Sequence, residues 1–557
     1  MIAHVSLLRR FTVRFDYFDY RCDEMYVSIG SLVEVPYRNT QTLGIVVGIS
    51  ENSPIKTKPI TAVVLQNFIS EQTIIFAKKI AQIYHVSLSN ALLLGIPQLP
   101  KKNREKFAHI PHTVTPKTNP QHEVVIYHQD SDLIKHSETL SQTPGTHLFI
   151  IPTQTHNQKI PHIPYISNTT PKEEKIAYLR ALQSEGLYCG TRSTLFLPWK
   201  NLKSITILDE EHEGHKSWES NPRYDSTIIA LLMQEVWKIN LYIFSNFPKT
   251  ETLYNPHVTT RKELPSSKPN TATLLTTTRT QIPPRVQEII EEHVGLLLYI
   301  TPKTEKISCM VCNDCKTSLR CYECNTPLAT QREHLFCKKC IQYFEAGVSC
   351  GNCGSNSFFE AGRGAEGIYH SLSHEFPKQT ITLYTAQDKN EIPSEGIVVG
   401  TKILLEKVHD KKISAIILEE VDILLTIPDY RSFDQVGSLL SRAQAVAAKH
   451  GAPLYVITKL KENEQLSRIV GQKFGAYYQE ELALRKKLKL PPYTVMVNIE
   501  GKTLPHLITR LPFVETSTHN KALLNIPYDK FTTTTSRIHA ILDEWCVVDV
   551  NPLRLIE

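Results

Sequence analysis

A cluster of cysteines constrains this 557-residue chain more than any other feature of its sequence. Nine of the twelve cysteines lie between Cys309 and Cys353. A C-x-x-C turn aims two thiolates at one point, and two such turns complete the closed tetrahedral shell of four sulfur atoms that structural zinc prefers. The spacing therefore predicts two structural Zn²⁺ ions, leaves open which pairs share an ion, and makes Cys309 a non-ligand. The four pairs are Cys312 and Cys315, Cys321 and Cys324, Cys337 and Cys340, and Cys350 and Cys353.

Other uses of paired cysteines fit this cluster less well. No window approaches 18 consecutive apolar residues, and the N-terminus has no signal-peptide pattern, so we expect a cytoplasmic protein without a membrane segment. Disulfides are disfavoured in that compartment. A thioredoxin-like motif needs one C-x-x-C at the start of a helix rather than four pairs within 42 residues. An iron–sulfur site stays open as the less favoured alternative.

Composition narrows the class of protein without identifying its function. A hydrophobic content of 41% rules out a disordered chain, a collagen and a coiled-coil rod. The net charge of +6 permits nucleic-acid binding but fits an ordinary soluble protein equally well. The chain contains only 22 Gly against 33 Pro. Nucleotide-dependent motors use glycines in their phosphate loops, so this scarcity argues against a conventional nucleotide site.

An acidic strand end lies in the middle of the chain. From about residue 121 short apolar strands alternate with helical segments, which predicts a parallel α/β sheet. One of these strands ends in the sequence Asp209-Glu210-Glu211-His212. Acidic residues at the carboxyl end of a parallel strand occupy the place where Mg²⁺ and phosphates bind in nucleotide-dependent motors. Alone the signal is weak, because an acidic strand end is often a solvated tip.

Several motifs occur in a characteristic order: GTRS precedes F-x-P-x-x-N-L, DEEH and PRY, and the four cysteine pairs follow. This order resembles the primosomal protein N′ (PriA) family, the bacterial replication-restart helicases of helicase superfamily 2. Further matches lie at the N-terminus, after the cysteines and at the C-terminus. They are Gly30, Val33, Val35-Pro36, Gly44-Ile45-Val46-Val47, Gly362-Arg363-Gly364-Ala365-Glu366, Glu481, Leu482, Arg485, Pro491, Pro492 and Asp549–Pro552.

The resemblance implies a multidomain α/β chain with two RecA-like helicase lobes. The second lobe carries the two-zinc, cysteine-rich insertion. The implied domains are a three-prime-end DNA-binding β-domain at 1–68, a shortened winged-helix-like segment and linker at 69–120, helicase lobe 1 without a phosphate loop at 121–255, the start of helicase lobe 2 at 256–305, the two-zinc insertion at 306–357, the remainder of lobe 2 at 358–470, and a C-terminal α+β domain at 471–557.

The resemblance also assigns ligands that spacing leaves open. In the family the outer cysteine pairs share one zinc and the inner pairs the other. This implies one ion on Cys312, Cys315, Cys350 and Cys353, and a second ion on Cys321, Cys324, Cys337 and Cys340. The family also captures a DNA three-prime end with the Asp of a Phe-Asp-Tyr motif, which occurs twice here. The implied DNA-binding set is Asp16, Tyr17, Asp19, Tyr20 and Gly30.

The chain departs from the family where the motor binds nucleotide. The family's G-x-x-G-S-G-K-T loop is replaced by a stretch without glycine between Val124 and Leu140, in which Asp130 and Asp132 stand and only Lys135 resembles the loop lysine. Backbone amides need glycines to wrap a triphosphate, so bound ATP and Mg²⁺ are in doubt and no catalytic residue is expected. The remnants of the motor motifs are Asp209, Glu210, His212 and Arg442.

These observations favour a DNA-binding replication-restart (primosome assembly) protein that recognises stalled or branched forks. By resemblance it promotes loading of the replicative helicase, and we expect it to do so without hydrolysing ATP. Its implied partners are forked and single-stranded DNA, primosome proteins, the replicative helicase and single-strand-binding protein. Two alternatives remain open. One is an active ATP-dependent 3′-to-5′ helicase with a non-standard nucleotide site, and the other is a zinc-stabilised protein-interaction scaffold.

Overall fold

The structure is a computed structural model that divides into two compact units. The first contains residues 1–126, 130–264 and 485–555, and the second contains residues 127–129, 265–484 and 556–557. The residues that the structure describes are 1–11, 15–22, 25–100, 104–108, 119–264, 272–277, 282–302, 309–315, 317–322, 328–331, 334–337, 342–344, 349–361, 364–385, 387–388, 390–408, 411–425, 429–460, 462–518 and 520–552.

The N-terminal part of the first unit is a six-stranded sheet in the order β5-β2-β1-β4-β3-β6. Its strands are antiparallel apart from the β2–β5 pair. Alternating valines such as Val33 and Val35 point into one core, as the alternating sequence predicts. The elements are β1 (Ile2–Leu7), β2 (Phe18–Arg21), β3 (Leu32–Tyr37), β4 (Thr40–Ser50), β5 (Lys58–Pro59), β6 (Ala62–Leu65), α1 (Glu71–Tyr84), α2 (Leu88–Leu92) and a 3₁₀ turn at Arg104–Phe107.

A six-stranded parallel sheet follows in the same unit, in the order β12-β7-β11-β10-β8-β9. Its central strands are mostly runs of buried Val, Ile, Leu and Phe, which is typical of a sheet covered on both faces, whereas the edge strand β12 is polar and largely exposed. Strand β12 lies beyond residue 255. The elements are β7 (His122–Ile126), α3 (Asp130–Ser141), β8 (Thr146–Ile150), α4 (Pro171–Gln183), β9 (Gly186–Gly190), β10 (Leu202–Leu208), α5 (Ser226–Trp237), β11 (Asn240–Ser245), α6 (Thr250–Leu253) and β12 (Thr260–Glu263), with 3₁₀ turns at Gln154–Lys159, Arg192–Phe196 and Glu213–His215.

The second unit contains another six-stranded parallel sheet and a smaller antiparallel sheet. The parallel sheet has the order β13-β23-β22-β14-β21-β20, and the antiparallel sheet, inserted after β14, has the order β18-β17-β16-β15-β19. The elements are β13 (Thr273–Thr276), α7 (Pro284–Glu291), β14 (Leu296–Ile300), β15 (Cys309–Cys312), β16 (Ala329–Gln331), β17 (His334–Cys337), β18 (Gln342–Phe344), β19 (Phe358–Ala361), α8 (Gly364–Glu375), β20 (Ile381–Tyr384), β21 (Gly396–Gly400), α9 (Leu404–Lys407), β22 (Ile413–Leu418), α10 (Asp422–Leu425), α11 (Ser432–His450), β23 (Leu454–Thr458), α12 (Glu464–Val470) and α13 (Phe474–Leu488), whose residues from Arg485 onward belong to the first unit.

The C-terminal residues return to the first unit as a four-stranded antiparallel sheet in the order β25-β26-β24-β27. Buried Lys216, which follows β10, reaches this sheet with its Nζ 2.6 Å from Asp549 Oδ1 and 2.6 Å from the Val550 carbonyl oxygen. The terminal Asp-Val motif therefore anchors the C-terminal sheet to the parallel sheet of its unit. The elements are β24 (Thr494–Glu500), α14 (Leu504–Leu507), β25 (Val514–Ser517), β26 (Lys521–Pro527), α15 (Phe531–Ile541) and β27 (Val547–Val550), with 3₁₀ turns at Ile508–Arg510 and Tyr528–Lys530.

The predicted multidomain α/β architecture is confirmed. Two parallel sheets are built from strands that alternate with helices along the chain, and antiparallel sheets are formed near both ends of the sequence. Within the part of the chain that the structure describes, no helix is both long and apolar enough to cross a lipid bilayer.

Candidate functional site

The connection between β7 and α3 is too short for a phosphate-binding loop. Only residues 127–129 separate the end of the strand from the start of the helix, and none of them is glycine. The first turn of α3 carries Asp130 and Asp132, whose charges oppose an incoming phosphate at the place where helix amides would attract one. Lys135 lies more than one turn further on and is exposed.

Asp209 stands directly after β10 and is paired with a lysine. Its carboxylate oxygen Oδ2 lies 2.7 Å from Lys159 Nζ and 3.8 Å from His156 Nε2. The side chain of Asp209 is 1% exposed, so a nearby positive charge is needed to offset the cost of burying a carboxylate. Lys159 provides that charge from the 3₁₀ turn that follows β8.

The next carboxylate, Glu210, is fully buried and has a lysine of its own. Lys249 donates its backbone N–H to Oε1 over 2.8 Å, and its Nζ lies 3.1 Å from Oε2. Burial raises the pKa of Glu210 to about 7, and Lys249 opposes that rise only in part. The charge of Glu210 is therefore cancelled either by Lys249 or by a proton. The third carboxylate, Glu211, accepts a 2.6 Å hydrogen bond from the Ser245 hydroxyl.

The GTRS and DEEH motifs meet at one loop. His212 Nδ1 accepts the backbone N–H of Gly214 over 2.9 Å, and Arg192 donates to the Gly214 carbonyl over 3.0 Å. A Cβ at Gly214 would lie 2.4 Å from the Pro152 carbonyl oxygen, so this position needs glycine. Both motifs thus have a structural role in shaping the loop after β10.

Arg442, the remaining arginine of the motor motifs, lies in α11 of the second unit. Its Nη1 is 3.9 Å from Glu406 Oε1, and both side chains are about nine-tenths buried. The guanidinium therefore has an acidic neighbour within its own unit.

The residues of the first unit do not fit a Mg²⁺–nucleotide complex. Mg²⁺ takes oxygen ligands in an octahedron and prefers carboxylates and phosphates. Here lysine ammonium groups adjoin the two strand-end carboxylates Asp209 and Glu210. The phosphate-binding loop is also replaced by a short acidic connection. We therefore derive no hydrolytic step from this site.

The first Phe-Asp-Tyr motif, residues 15–17, contacts the start of α2 through Asp16. Asp16 Oδ1 accepts the backbone N–H of Leu88, the first residue of α2, over 3.0 Å. The Tyr17 side chain is 48% exposed, and its ring centroid lies 4.6 Å from that of His4. Among the residues expected to read DNA, Tyr17 is the aromatic ring that solvent reaches.

The second Phe-Asp-Tyr motif lies on β2. Asp19 accepts hydrogen bonds from His4 Nδ1 at 2.7 Å and from the Ser53 hydroxyl at 2.6 Å. Burial opposes ionisation of Asp19, but these hydrogen bonds and the charge of His4 outweigh it and lower the pKa of the carboxyl. Tyr20 is only 4% exposed and donates its hydroxyl to the Pro36 carbonyl, so its ring packs in the core and is not available for stacking.

Gly30 has a structural reason to be glycine. Its φ is +87°, and a Cβ there would lie 2.1 Å from the Ile69 carbonyl oxygen. Its backbone carbonyl accepts from Ile69 N–H over 3.1 Å. Gly30 therefore holds the chain that enters α1 against the N-terminal sheet.

Four cysteines of the insertion come together. Cys312 and Cys353 have Sγ atoms 3.5 Å apart, as do Cys315 and Cys350, and all four sulfur atoms lie within 4.8 Å of one another. Four zinc–sulfur bonds of about 2.3 Å in a tetrahedron place sulfur atoms about 3.8 Å apart. This set therefore fits a Zn²⁺ ion, and it joins the first C-x-x-C pair to the last.

Local hydrogen bonds favour the thiolate form at the first pair, Cys312 and Cys315, whereas at Cys353 the hydrogen bond from the Ser355 backbone is outweighed by those with the other cysteines, which raise the pKa of Cys353. The backbone N–H of Cys315 lowers the pKa of Cys312. Hydrogen bonds from the Asn352 side chain and from Thr317 lower the pKa of Cys315 to about 5. Thiolate is the form of cysteine that binds zinc. The turn that carries the last pair closes through Gly354, whose φ is +75° and whose N–H donates to the Cys350 carbonyl over 2.7 Å.

The inner cysteine pairs are described only in part. Cys321 and Cys337 are buried in one apolar cluster with Leu319, Leu328 and Leu335. Cys324 and Cys340 lie outside the described residues.

Sequence reasoning missed the partners of the acidic groups. Lys159 stands 50 residues before Asp209, and Ser53 stands 34 residues after Asp19. Of these partners, only Lys249 could have been predicted from the sequence, because it closely follows β11, the strand that neighbours β10 in the sheet.

Comparison with known proteins begins with the N-terminal sheet. Residues 12–97 match the family model of the 3′DNA-binding domain (3′BD) of PriA. This match includes α1 and α2, which the sequence assigned to a winged-helix-like segment. The class of protein is therefore a multidomain α/β protein with a PriA-type 3′ DNA-binding domain.

Curated proteins named replication restart protein PriA are also similar to the chain. It is 25% identical to that protein from Thermotoga maritima over 351 residues, which are 56% of this chain and 46% of the relative. For Haemophilus influenzae the identity is 23% over 371 residues, 60% of this chain and 50% of the relative. The chain thus spans about half the length of these relatives. For Rickettsia conorii the identity is 22% over 556 residues, 86% of this chain and 84% of the relative.

A solved structure described as RecG bound to a three-way DNA junction also resembles the chain. The TM-score is 0.37 at 12% identity, covering 75% of this chain and 55% of that one. A TM-score at this level supports no argument about fold or function.

Proposed function

We propose that this chain is a DNA-binding replication-restart protein that recognises stalled or branched forks and promotes loading of the replicative helicase without hydrolysing ATP. The observation that supports the absence of ATP hydrolysis is that both carboxylates at the end of β10 form ion pairs with lysines. Asp209 and Glu210 each adjoin a lysine ammonium group at 2.7 and 3.1 Å. A motor would need these groups to hold Mg²⁺ and activate water.

DNA recognition is supported by the N-terminal sheet. The match to the PriA 3′ DNA-binding domain covers every strand of this sheet except β1, and Tyr17 presents an exposed ring beside Asp16. Base stacking on an aromatic ring contributes about 1–3 kcal/mol per base. Asp19 has two internal hydrogen bonds and Tyr20 is buried, which favours the first Phe-Asp-Tyr motif as the one that meets DNA.

Two structural Zn²⁺ ions belong to the same proposal. The geometry of Cys312, Cys315, Cys350 and Cys353 supports one ion. For the second ion, the sequence supplies Cys321, Cys324, Cys337 and Cys340. Closed sites of four thiolates have no open coordination position, so both ions would be structural. Their function would be to fold the insertion in the second unit.

Nucleotide turnover on a fork substrate tests the proposal. The zinc-loaded full chain is mixed with forked DNA, with and without a 3′-hydroxyl at the junction, and both binding anisotropy and ATP hydrolysis are measured. We expect fork binding that weakens when the 3′-hydroxyl is blocked, and ATP hydrolysis no faster than in the Asp209→Ala variant.

Two other outcomes would contradict different parts of the proposal. DNA-stimulated hydrolysis that Asp209→Ala abolishes would make the chain an active helicase. Absence of binding to any DNA would leave a protein-interaction scaffold. Weaker fork binding in Tyr17→Ala, with Tyr20→Phe as a matched control that keeps the buried ring, would support the first motif.

A further inference from the structure

The antiparallel sheet of the cysteine insertion has an aromatic face turned to solvent. Phe336 on β17 lies directly opposite Tyr343 on β18, and their ring centroids are 4.8 Å apart. His334, two residues before Phe336, has its ring 6.4 Å from that of Tyr343. Side chains two residues apart on a strand share a face, so these three rings lie side by side.

The opposite face of the same strands is the buried one. Leu335 pairs with Phe344, and both belong to the apolar cluster that contains Cys337. The aromatic face is therefore not the core of the insertion. Tyr343 is 61% exposed and His334 is exposed, although a solvent face of an antiparallel sheet normally carries polar side chains.

The geometry points to this face as a stacking platform for the bases of single-stranded DNA. The inference rests on the proposed DNA-binding function. Paired rings on neighbouring strands hold flat apolar surfaces in fixed positions, which is how sheet-based binding domains stack unpaired bases. Every base has an aromatic face, so such a platform needs no particular sequence.

Charge favours DNA over an apolar protein surface as the occupant. The sequence of the insertion, residues 306–357, contains six Lys or Arg against four Asp or Glu. His334, Phe336 and Tyr343 are themselves not acidic, and the nearest acidic residues in the sequence, Glu333 and Glu345, lie outside the described residues. A Tyr and a His also tolerate the wet surroundings of a nucleic-acid groove better than an aliphatic patch would.

The insertion provides its own control. Tyr322 is 78% exposed, but its ring packs edge-on against Phe344 at 5.4 Å, and Phe344 belongs to the opposite face of the sheet. Removing Tyr322 deletes a tyrosine of the same insertion that is even more exposed than Tyr343, without touching the aromatic face. Tyr322→Ala and Tyr343→Ala should both keep the zinc content of the parent chain. Zinc content thus distinguishes loss of the ring from loss of the fold.

The test measures anisotropy of a fluorescent oligo(dT) with the zinc-loaded full chain. We expect Tyr343→Ala to weaken binding roughly 5- to 150-fold, the equivalent of one stacked base, while Tyr343→Phe and Tyr322→Ala bind like the parent. Photo-crosslinking of an oligonucleotide that carries 5-iodo-deoxyuridine should label the peptide that contains Tyr343.

Three results would overturn the inference and leave the proposed function standing. Equal weakening in Tyr343→Ala and Tyr322→Ala would indicate a general effect on the insertion. Unchanged oligo(dT) affinity in Tyr343→Ala, with fork binding intact, would exclude stacking at this face. Unchanged DNA affinity together with loss of a protein contact in Tyr343→Ala would assign the face to a protein. Failure of the parent chain to bind any DNA would instead overturn the proposed function itself.

Discussion

The cysteine site of the second unit and the acidic strand end of the first unit both carry motifs of the family pattern but have different chemistry. At the cysteine site, four sulfur atoms converge within 4.8 Å, and hydrogen bonds lower the pKa of Cys312 and Cys315. At the strand end, Asp209 and Glu210 are buried and paired with Lys159 and Lys249. The cysteine site can bind a metal cation from solution, whereas the carboxylates of the strand end are paired with lysine side chains of the same chain.

The difference shows why a motif alone does not establish an activity. A metal site needs ligands whose charge is left for the metal to neutralise. The cysteines meet that condition, because converging thiolates are stable only with an ion between them. The strand-end carboxylates do not, since lysines or protons already neutralise them. The D-E-x-H residues therefore take part in ion pairs and hydrogen bonds that shape the loop after β10.

The largest expected effect is loss of metal when one ligand of the cysteine site is removed. Structural zinc contributes an apparent 10–16 kcal/mol in zinc-finger peptides, about the largest contribution that a single site makes. We expect Cys350→Ser to lose one zinc ion per chain after dialysis and to make the insertion sensitive to proteolysis. Metal content is measured by atomic emission.

Cys309→Ser serves as the control for that loss, since Cys309 is the cysteine outside the four pairs. It should retain the zinc content of the parent chain. Full zinc in Cys350→Ser, or equal loss in both variants, would show that the four converging sulfur atoms do not form a metal site.

The second effect is destabilisation when the built-in cation of the strand end is removed. Lys159→Met leaves Asp209, which is 1% exposed, without the ammonium group at 2.7 Å. Breaking a buried ion pair from one side costs about 3–5 kcal/mol. We expect the free energy of unfolding of the first unit to fall by that amount, as measured by urea denaturation.

Lys135→Met is the matched control, because Lys135 is exposed on α3 of the same unit. Its effect should stay within about 0.5 kcal/mol. If Lys159→Met were as mild as Lys135→Met, the lysine would not compensate Asp209, and the contrast with the cysteine site would fail.

The sequence could predict the strands and the chemistry of single motifs, but not the partners that decide what a motif does. Runs such as Ser204–Leu208 are apolar and β-branched, so their burial in a parallel sheet follows from local pattern. Asp209 at the strand end followed from the same pattern. Its pairing with Lys159 did not, since 50 residues separate the two and only the folded sheet brings them together.

The basic run Arg485-Lys486-Lys487-Leu488-Lys489 at the end of α13 is another case in which the sequence does not reveal the partner of a charged residue. The sequence alone suggests that the whole run either contacts phosphates or forms a solvated helix face. In the structure Lys486 and Lys487 are exposed, but Arg485 is fully buried, with Nη1 3.0 Å from Glu251 Oε2 and 3.3 Å from the Pro491 carbonyl. Arg485 thus anchors the Pro-Pro turn that follows, a role that depends on a glutamate more than 200 residues away.

The smallest expected effect is a change in pH dependence at Glu210. Its pKa in the folded chain is about 7, against an ordinary value of 4.5, because burial disfavours the charged form. The protonated carboxyl therefore stabilises the folded state fully below about pH 4.5, and this contribution is lost as the pH rises through 7. A shift of this size is worth on the order of 3 kcal/mol.

Glu210→Gln replaces the protonated carboxyl by an amide of similar shape that does not titrate. We expect the drop in unfolding free energy between pH 5 and pH 8 to be smaller in Glu210→Gln than in the parent chain, as measured by urea denaturation at both pH values. Glu138→Gln, which removes an exposed carboxyl from α3, should keep the parent's pH dependence. An unchanged slope in Glu210→Gln would mean that Lys249 holds Glu210 ionised. The strand end would then be neutralised by lysines alone, without a proton.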